Sequence, residues 1–438
     1  MRVLVIGQCT LQNGRLEYGN VGNYYIIEPL FRGLHQAFPN AEIVTTFQMT
    51  DDFCKREKIS CLPIDLYYSW STNNLDIVLK EYAIASIYKE TREFIATSPY
   101  IEEVMKSDLV IDFSGDIWGE NANILGKDRF LVGLLKDRIV QLLGRPSAMI
   151  AGSPGPFEMN TVPFASQVLK NFDLVTNREQ ISNDVLKKYG LYTKNIANAA
   201  CPAFLFEPAV TPEIETLIKN LRQEKKERPI VGFILCGWNF EDGPFSKWPR
   251  SENEYSNFFE TIEYVEKKLG AKVYLLSHSN GFEIEPEFKL IKGRDYAVSQ
   301  QLYEIVNNRN IAKEVVLLDG IYLPAQTKAI INEFDMLISG RVHAAVAGWS
   351  QYVPTVVLDY GHEPKAHKLK GFAKMVGFEN LVANPLCIED IKSKVNICWE
   401  ERQLIRKKLK EEMPNIKNKA KLNFKLLKDL VAKQSSIS

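Results

Sequence analysis

Arg341 and His343 stand in the stretch LISGRVHAAVAGWSQ, Leu337 to Gln351, where an apolar run read as a strand ends at Ser339 and an alanine-rich helix follows at once. A helix N-terminus already carries partial positive charge and unsatisfied backbone N–H groups, so cations in its first turn are disfavoured unless an anion joins them. Arginine offers a planar fork of donors matched to phosphate or carboxylate, and histidine a proton that moves near neutral pH. With Ser339 as N-cap, Val342, Val346 and Trp349 share the inward face, and Arg341 and His343 flank it. The turn therefore reads as an anion receiver. The structural alternative is a buried Asp335–Arg341 pair, but Asp335 opens the strand and should lie at the opposite edge of the sheet.

Other chemistry-bearing residues also follow apolar runs. His278 ends one in LLSHSNG, and the loop YGHEPKAHKLKGF gathers His362, Lys365, His367, Lys368 and Lys370 after another. In SDLVIDFSGDIWGEN, Gly115 and Asp116 come directly after a strand, where a base or anchor for a sugar hydroxyl would sit; a helix-capping aspartate explains the same residue. Ser153, in AGSPGPFEMN, is framed by Gly152 and Gly155, which suits either backbone N–H donation to a ligand or a tight proline-shaped turn. Arg178, in LVTNREQISNDVL, is either an anion contact or a surface residue paired with Glu179 or Asp184. Gly19, Asn20, Gly22 and Asn23 precede an amphipathic helix in EYGNVGNYY, where glycines permit close backbone approach and either asparagine can cap. The cluster is neither a G-x-G-x-x-G dinucleotide fingerprint nor a P-loop.

These residues need strands to end where they begin. Apolar, β-branched runs alternate with helical patterns, predicting strands near Val3–Ile6, Glu42–Thr46, Leu109–Phe113, Ala148–Ala151 and Leu174–Thr176. A second set falls near Ile230–Leu235, Val273–Leu276, Val315–Leu318, Met336–Ser339 and Thr355–Leu358. The fold class is α/β, with two Rossmann-like doubly wound domains facing a cleft and ligands expected at the carboxyl ends of the strands. The expected divisions are residues 1–208, residues 209–384 and a helical, basic C-terminal segment 385–438, with Glu207–Pro229 as a charged, proline-bearing linker.

Fifty-four basic and 54 acidic residues give zero formal net charge, which argues against nucleic acid as the partner. Seven scattered cysteines without a C-x-x-C pair fit reduced cytosolic thiols, and no metal-ligand pattern is visible. The apolar N-terminal run is short for a signal peptide, and nothing approaches the ~20 apolar residues of a membrane span. A cytoplasmic protein is expected, with the basic tail leaving peripheral contact at the inner face of a membrane open.

In order and spacing, GNVGN, SGDIWGE, GSPGPF, NREQISNDVL, CPAFLFEP, SGRVHAAV and HKLKGFAKMVGF resemble the polysaccharide pyruvyl transferase family over about Met1 to Asn384. The resemblance implies a GT-B-like fold and transfer of the enolpyruvyl unit of phosphoenolpyruvate to sugar hydroxyls, with no cofactor or metal. It implies Arg341 and His343 as donor-binding and catalytic residues, His343 as the acid. It further implies Arg178 and Lys368 as added anion contacts and Asp116 on the acceptor side, facing a sugar or lipid-linked oligosaccharide. The family motif usually reads G-N-x-G-D, and Asn23 stands where its acid is expected. The competing readings are a GT-B glycosyltransferase using a nucleotide-sugar donor and a non-catalytic carbohydrate-binding relative.

Overall fold

The computed structural model describes the chain except residues 9–13, 70–72, 124–127, 244–247, 284–288, 361–366 and 436–438, so Trp70, His362 and Lys365 lie outside the described residues. The chain divides into two compact units: Met1–Leu16, Ile27–Pro202 and Asn418–Ser438 form the first, and Glu17–Ile26 with Ala203–Lys417 the second.

The first unit holds seven strands: β1 (Arg2–Ile6), β2 (Glu42–Thr45), β3 (Ile59–Cys61), β4 (Leu109–Asp112), β5 (Ser147–Gly152), β6 (Leu174–Asn177) and β7 (Ile196–Asn198). They form one parallel sheet in the order β3-β2-β1-β4-β5-β6-β7. Both faces are covered by helices, so the central strands read as unbroken apolar runs: every residue of β4 and β5 is buried.

The second unit contains β8 (Ile230–Ile234), β9 (Lys272–Leu275), β10 (Asn280–Glu283), β11 (Lys289–Lys292), β12 (Val315–Leu317), β13 (Met336–Ser339), β14 (Thr355–Leu358) and β15 (Val382–Ala383). Six pair in parallel as β12-β9-β8-β13-β14-β15, and β10 and β11 form an antiparallel hairpin. All ten strands expected from the sequence are present; β3, β7, β15 and the hairpin add to them.

Each sheet reverses its strand order once, between β1 and β4 in the first unit and between β8 and β13 in the second. At such a switch point the connections leave in opposite directions, opening a crevice beyond the carboxyl ends of the two strands. Register brings those ends level, Ile6 opposite Asp112 and Ser339 opposite Ile234.

The unit break between Pro202 and Ala203 precedes the Glu207–Pro229 stretch. That stretch is not a free linker, because helix Pro212–Glu227 buries Ile214, Ile218 and Leu221 on one side. The basic C-terminal segment ends in helix Arg402–Ser435, whose buried stripe of Ile405, Leu409, Met413, Ile416, Ala420, Phe424 and Leu427 follows the helical repeat. Within the first unit Phe424 fills the space a side chain at Gly33 would need, and Asn423 donates to the Ala200 carbonyl at 2.9 Å. No helix among the described residues is long and apolar enough to cross a membrane.

Candidate functional site

In the second unit the turn after β13 is tied by Ser339, whose Oγ donates to the Arg341 carbonyl at 2.8 Å and accepts the Arg341 N–H at 3.3 Å. The N-cap of helix Val342–Ser350 is Arg341 rather than the predicted Ser339, and no side chain caps it. All nine helical residues are buried, so the helix is apolar on every side and its first turn is fixed in place. Asp335 lies at the other edge, as its position predicts, accepting the Ile230 N–H at 3.0 Å and pairing with Lys225 at 3.1 Å.

Arg341 has a partner of its own in the buried Asp295. Nε and Nη2 donate to the two carboxylate oxygens at 2.9 and 2.6 Å, a side-on pair that uses two of the five guanidinium N–H groups. Burial alone would draw the guanidinium down, but Asp295 and the neighbouring Cys236 thiol hold it above its ordinary range. Asp295 opens helix Arg294–Asn308, and its N–H donates to Ser279 Oγ at 3.0 Å. Cys236, following β8, is buried; burial raises its thiol to about 11 despite Arg341, and Sγ donates to the Gly340 carbonyl at 3.0 Å. The carboxyl ends of β8, β9 and β13 thus meet around one guanidinium.

His343 is buried, edge-on to Phe372 at 6.1 Å between ring centroids. Gly22 packs directly on it: a Cβ there would lie 2.7 Å from His343 Cβ and 2.8 Å from Nδ1. The GNVGN segment, expected with the first half of the chain, therefore groups with the second unit, where its glycine lets helix Val21–Ala37 approach the histidine. Asn20 is the capping asparagine, its Oδ1 accepting the Gly22 N–H at 3.0 Å and its carbonyl the Asn23 N–H at 2.9 Å; Asn23 sits in the first helical turn and Gly19 closes the preceding turn. Lys368 is buried in helix His367–Met375 with Nζ 6.0 Å from the centre of the Tyr360 ring.

His278 departs from expectation. It is fully buried, edge-on to Tyr25 at 5.4 Å, and neither ring nitrogen has a hydrogen-bond partner among the described residues. Burial, reinforced by Arg341, lowers its pKa to about 3, so it is a neutral core imidazole rather than a cation for a bound anion. The folded value is depressed, so the stability linked to His278 is present above pH 6.5 and lost as pH falls towards 3. Between pH 7 and 5 this loss is about 2 kcal/mol. Urea midpoints at the two pH values should therefore fall further for the wild-type protein than for His278→Phe.

In the first unit the predicted residues come together after β4, β5 and β6. Arg178 is fully buried and pairs with neither Glu179 nor Asp184; Nε donates to Ser153 Oγ at 2.8 Å and Nη2 to Asp116 Oδ1 at 3.2 Å. Burial opposes its charge, and Asp116, Cys201 and Glu179 more than offset it, raising the guanidinium. Gly115 adopts φ +64°, a left-handed turn that glycine allows, and its carbonyl accepts the Ser153 N–H at 2.9 Å. Asp116 lies one-quarter exposed at the rim of this set, with a side-chain exposure of 26 %. Beneath it, Asp112 accepts the Ser114 N–H at 2.8 Å, and Ser114 Oγ accepts the Gln8 N–H at 2.8 Å, joining β4 to β1 across the switch point. Burial raises the Asp112 carboxyl to about 6, and burial together with the negative charge of Asp112 raises Asp137.

A family model of polysaccharide pyruvyl transferase matches residues 20–362, which include Asp116, Ser153, Arg178, Arg341 and His343 but not Lys368. The chain belongs to the polysaccharide pyruvyl transferase family. No curated protein sequence matches this pyruvyl transferase-family chain. Among solved structures, HepE of Anabaena in complex with UDP and glucose aligns with a TM-score of 0.56 at 12% identity, covering 100% of both chains. A glycosyltransferase from Rickettsia africae gives 0.56 at 11% identity over 100% of this chain and 97% of that one. UDP-GlcNAc 2-epimerase of Neisseria meningitidis gives 0.53 at 12% identity over 99% and 100%. These likenesses establish a GT-B-like fold of two Rossmann-like sheets.

For a family member, the residues missed by sequence reasoning are Asp295 and Asp112. Asp295 is 46 positions from Arg341, and its only local signal is an acid in a helical first turn after Gly293. Among the described residues no group of three or more His, Cys, Asp or Glu side chains is placed to hold a metal ion. Of the loop aromatics whose types suit either sugar stacking or ordinary packing, Tyr67, Tyr68 and Phe240 are buried in packing and Trp248 is exposed.

Proposed function

We propose that this chain transfers the enolpyruvyl unit of phosphoenolpyruvate to two hydroxyls of a sugar in a polysaccharide or glycan precursor, closing a pyruvate ketal and releasing phosphate. The observation that carries the reading is the family match over residues 20–362, which includes the Arg341/His343 turn. The turn supports it in chemical terms: phosphoenolpyruvate bears a phosphate and a carboxylate, and the turn offers a guanidinium, an imidazole and an uncapped helix N-terminus. Asp295 occupies Nε and one Nη2 donor, so the remaining donors of Arg341 are the ones that would meet the donor's phosphate.

His343 protonates the methylene carbon, and the developing oxocarbenium centre is attacked by the first sugar hydroxyl, which loses its proton. Phosphate then leaves, Arg341 stabilising its charge, and the second hydroxyl adds to close the ketal. One hydroxyl proton balances the proton given to carbon, and the other departs with phosphate. Lys368 adds positive charge on the donor side, and Asp116, held by Arg178, receives a hydrogen bond from an acceptor hydroxyl. The chemistry calls for no cofactor. The acceptor is a sugar or lipid-linked oligosaccharide met on the cytoplasmic side.

A second reading has one observation in its favour: the fold likeness to HepE in complex with UDP and glucose would suit a nucleotide-sugar glycosyltransferase. Asn23 in place of an acid admits a carbohydrate-binding member without activity. Titration calorimetry separates them. The proposal expects phosphoenolpyruvate to bind, Arg341→Ala to weaken it by about tenfold to a hundredfold, the loss of a charged hydrogen bond, and UDP-glucose to give no heat. Binding of UDP-glucose with none of phosphoenolpyruvate would reverse the assignment.

A further inference from the structure

Cys54 and Cys61 are seven positions apart, a spacing that carries no metal or redox signature in the sequence. Folding brings them into contact at one end of the first sheet. Cys54 lies in helix Asp51–Glu57, Cys61 ends the edge strand β3, and their Sγ atoms are 3.3 Å apart. Both sulfurs approach the backbone of one residue: the Met49 N–H donates to Cys61 Sγ at 3.4 Å, and the Met49 carbonyl lies 4.0 Å from Cys54 Sγ and 3.9 Å from Cys61 Sγ. Both thiols are partly exposed, whereas Cys201, Cys236 and Cys398 are buried. The segment around Cys54 carries Asp51, Asp52 and Glu57 as well as Lys55, Arg56 and Lys58, so the thiols are flanked by both signs of charge. A disulfide needs its sulfurs at about 2.05 Å, so a small side-chain movement joins them.

We propose that Cys54 and Cys61 are a modification site that closes reversibly to a disulfide, with a low-molecular-weight disulfide such as oxidised glutathione as the oxidant. One cysteine thiolate attacks a glutathione sulfur; the glutathione S–S bond breaks, a mixed disulfide forms and one glutathione leaves as thiolate. The second cysteine attacks the protein sulfur of the mixed disulfide, forming the Cys54–Cys61 bond and expelling the second glutathione. The protein sulfurs together lose two electrons and two protons, and the oxidant accepts both electrons as two glutathione thiols. The new bond ties helix Asp51–Glu57 to β3 across the Met49–Thr50 connection, which leaves the carboxyl end of β2, the sheet edge that also carries Ser114–Asp116.

The test treats the full chain with oxidised glutathione, blocks remaining thiols with iodoacetamide and maps the peptides by mass spectrometry. The expected result is a Cys54–Cys61 cross-linked peptide that dithiothreitol reverses, with a thermal midpoint above that of the reduced protein. Cys54→Ser and Cys61→Ser should each trap glutathione on the remaining cysteine and show no rise in midpoint. Alkylation of both Cys54 and Cys61 after oxidant treatment, or a stable glutathione adduct on either in the wild-type chain, would overturn the proposal.

Discussion

Replacing His343 with alanine should lower the turnover of phosphoenolpyruvate by about 10²–10⁴-fold, the range for loss of a positioned general acid, while changing its binding far less. The direction follows from where His343 sits. It lies in the first turn of a helix buried on all sides, and its ring is wedged between Gly22 and Phe372, so few orientations are open to it. A histidine that only filled space would not separate turnover from affinity. Rapid-quench turnover combined with equilibrium binding distinguishes the two: a parallel loss in both assigns His343 to binding, and a loss confined to turnover assigns it to proton transfer. His343→Gln, which keeps bulk and hydrogen bonding without an acid of suitable strength, should fall with alanine.

The second large effect is structural in origin and reaches the site through Arg341. Asp295→Ala should destabilise the protein by about 3–5 kcal/mol, because it leaves a mostly buried guanidinium without its carboxylate. Arg341→Met combined with Asp295→Leu should cost much less than the two single changes summed, since the uncompensated charge is removed with its partner. Asp295→Asn keeps an acceptor for one guanidinium N–H but not the charge, so it should fold better than the alanine variant and still bind phosphoenolpyruvate more weakly than wild type. Denaturant titration gives the stabilities and calorimetry the affinities. Equal destabilisation by Asp295→Ala and the double variant would mean that the pair contributes little beyond packing.

Most of the ten strands legible in the sequence are buried on both faces by helices, where β-branched and aliphatic residues run without interruption, as in IVGFI of β8 and MLIS of β13; β12, a short, partly exposed edge strand, was legible only through its aliphatic run. Those missed are of another kind. β3, β7 and β15 are three, three and two residues long, and the β10–β11 hairpin carries Asn280, Glu283, Lys289 and Lys292, so periodicity had too little to act on. Asp116, Ser153 and Arg178, each read directly after a strand, meet as a set, whereas Gly22, read with the first half of the chain, packs on His343 in the second unit. What pairing over distance decides was not legible. Nothing local in the sequence says that Arg341 meets Asp295, or that His278, at a strand end like the others, is covered by Tyr25 and left neutral.

The most direct test of pyruvyl transfer is phosphate release from phosphoenolpyruvate in the presence of a panel of aryl and lipid-linked glycosides, with mass analysis of the products. The account predicts release that depends on the acceptor, is lost in Arg341→Ala and His343→Ala, and accompanies a glycoside heavier by one pyruvate less one water. No release with any glycoside, together with transfer of a hexose from UDP-glucose to the same panel, would contradict it.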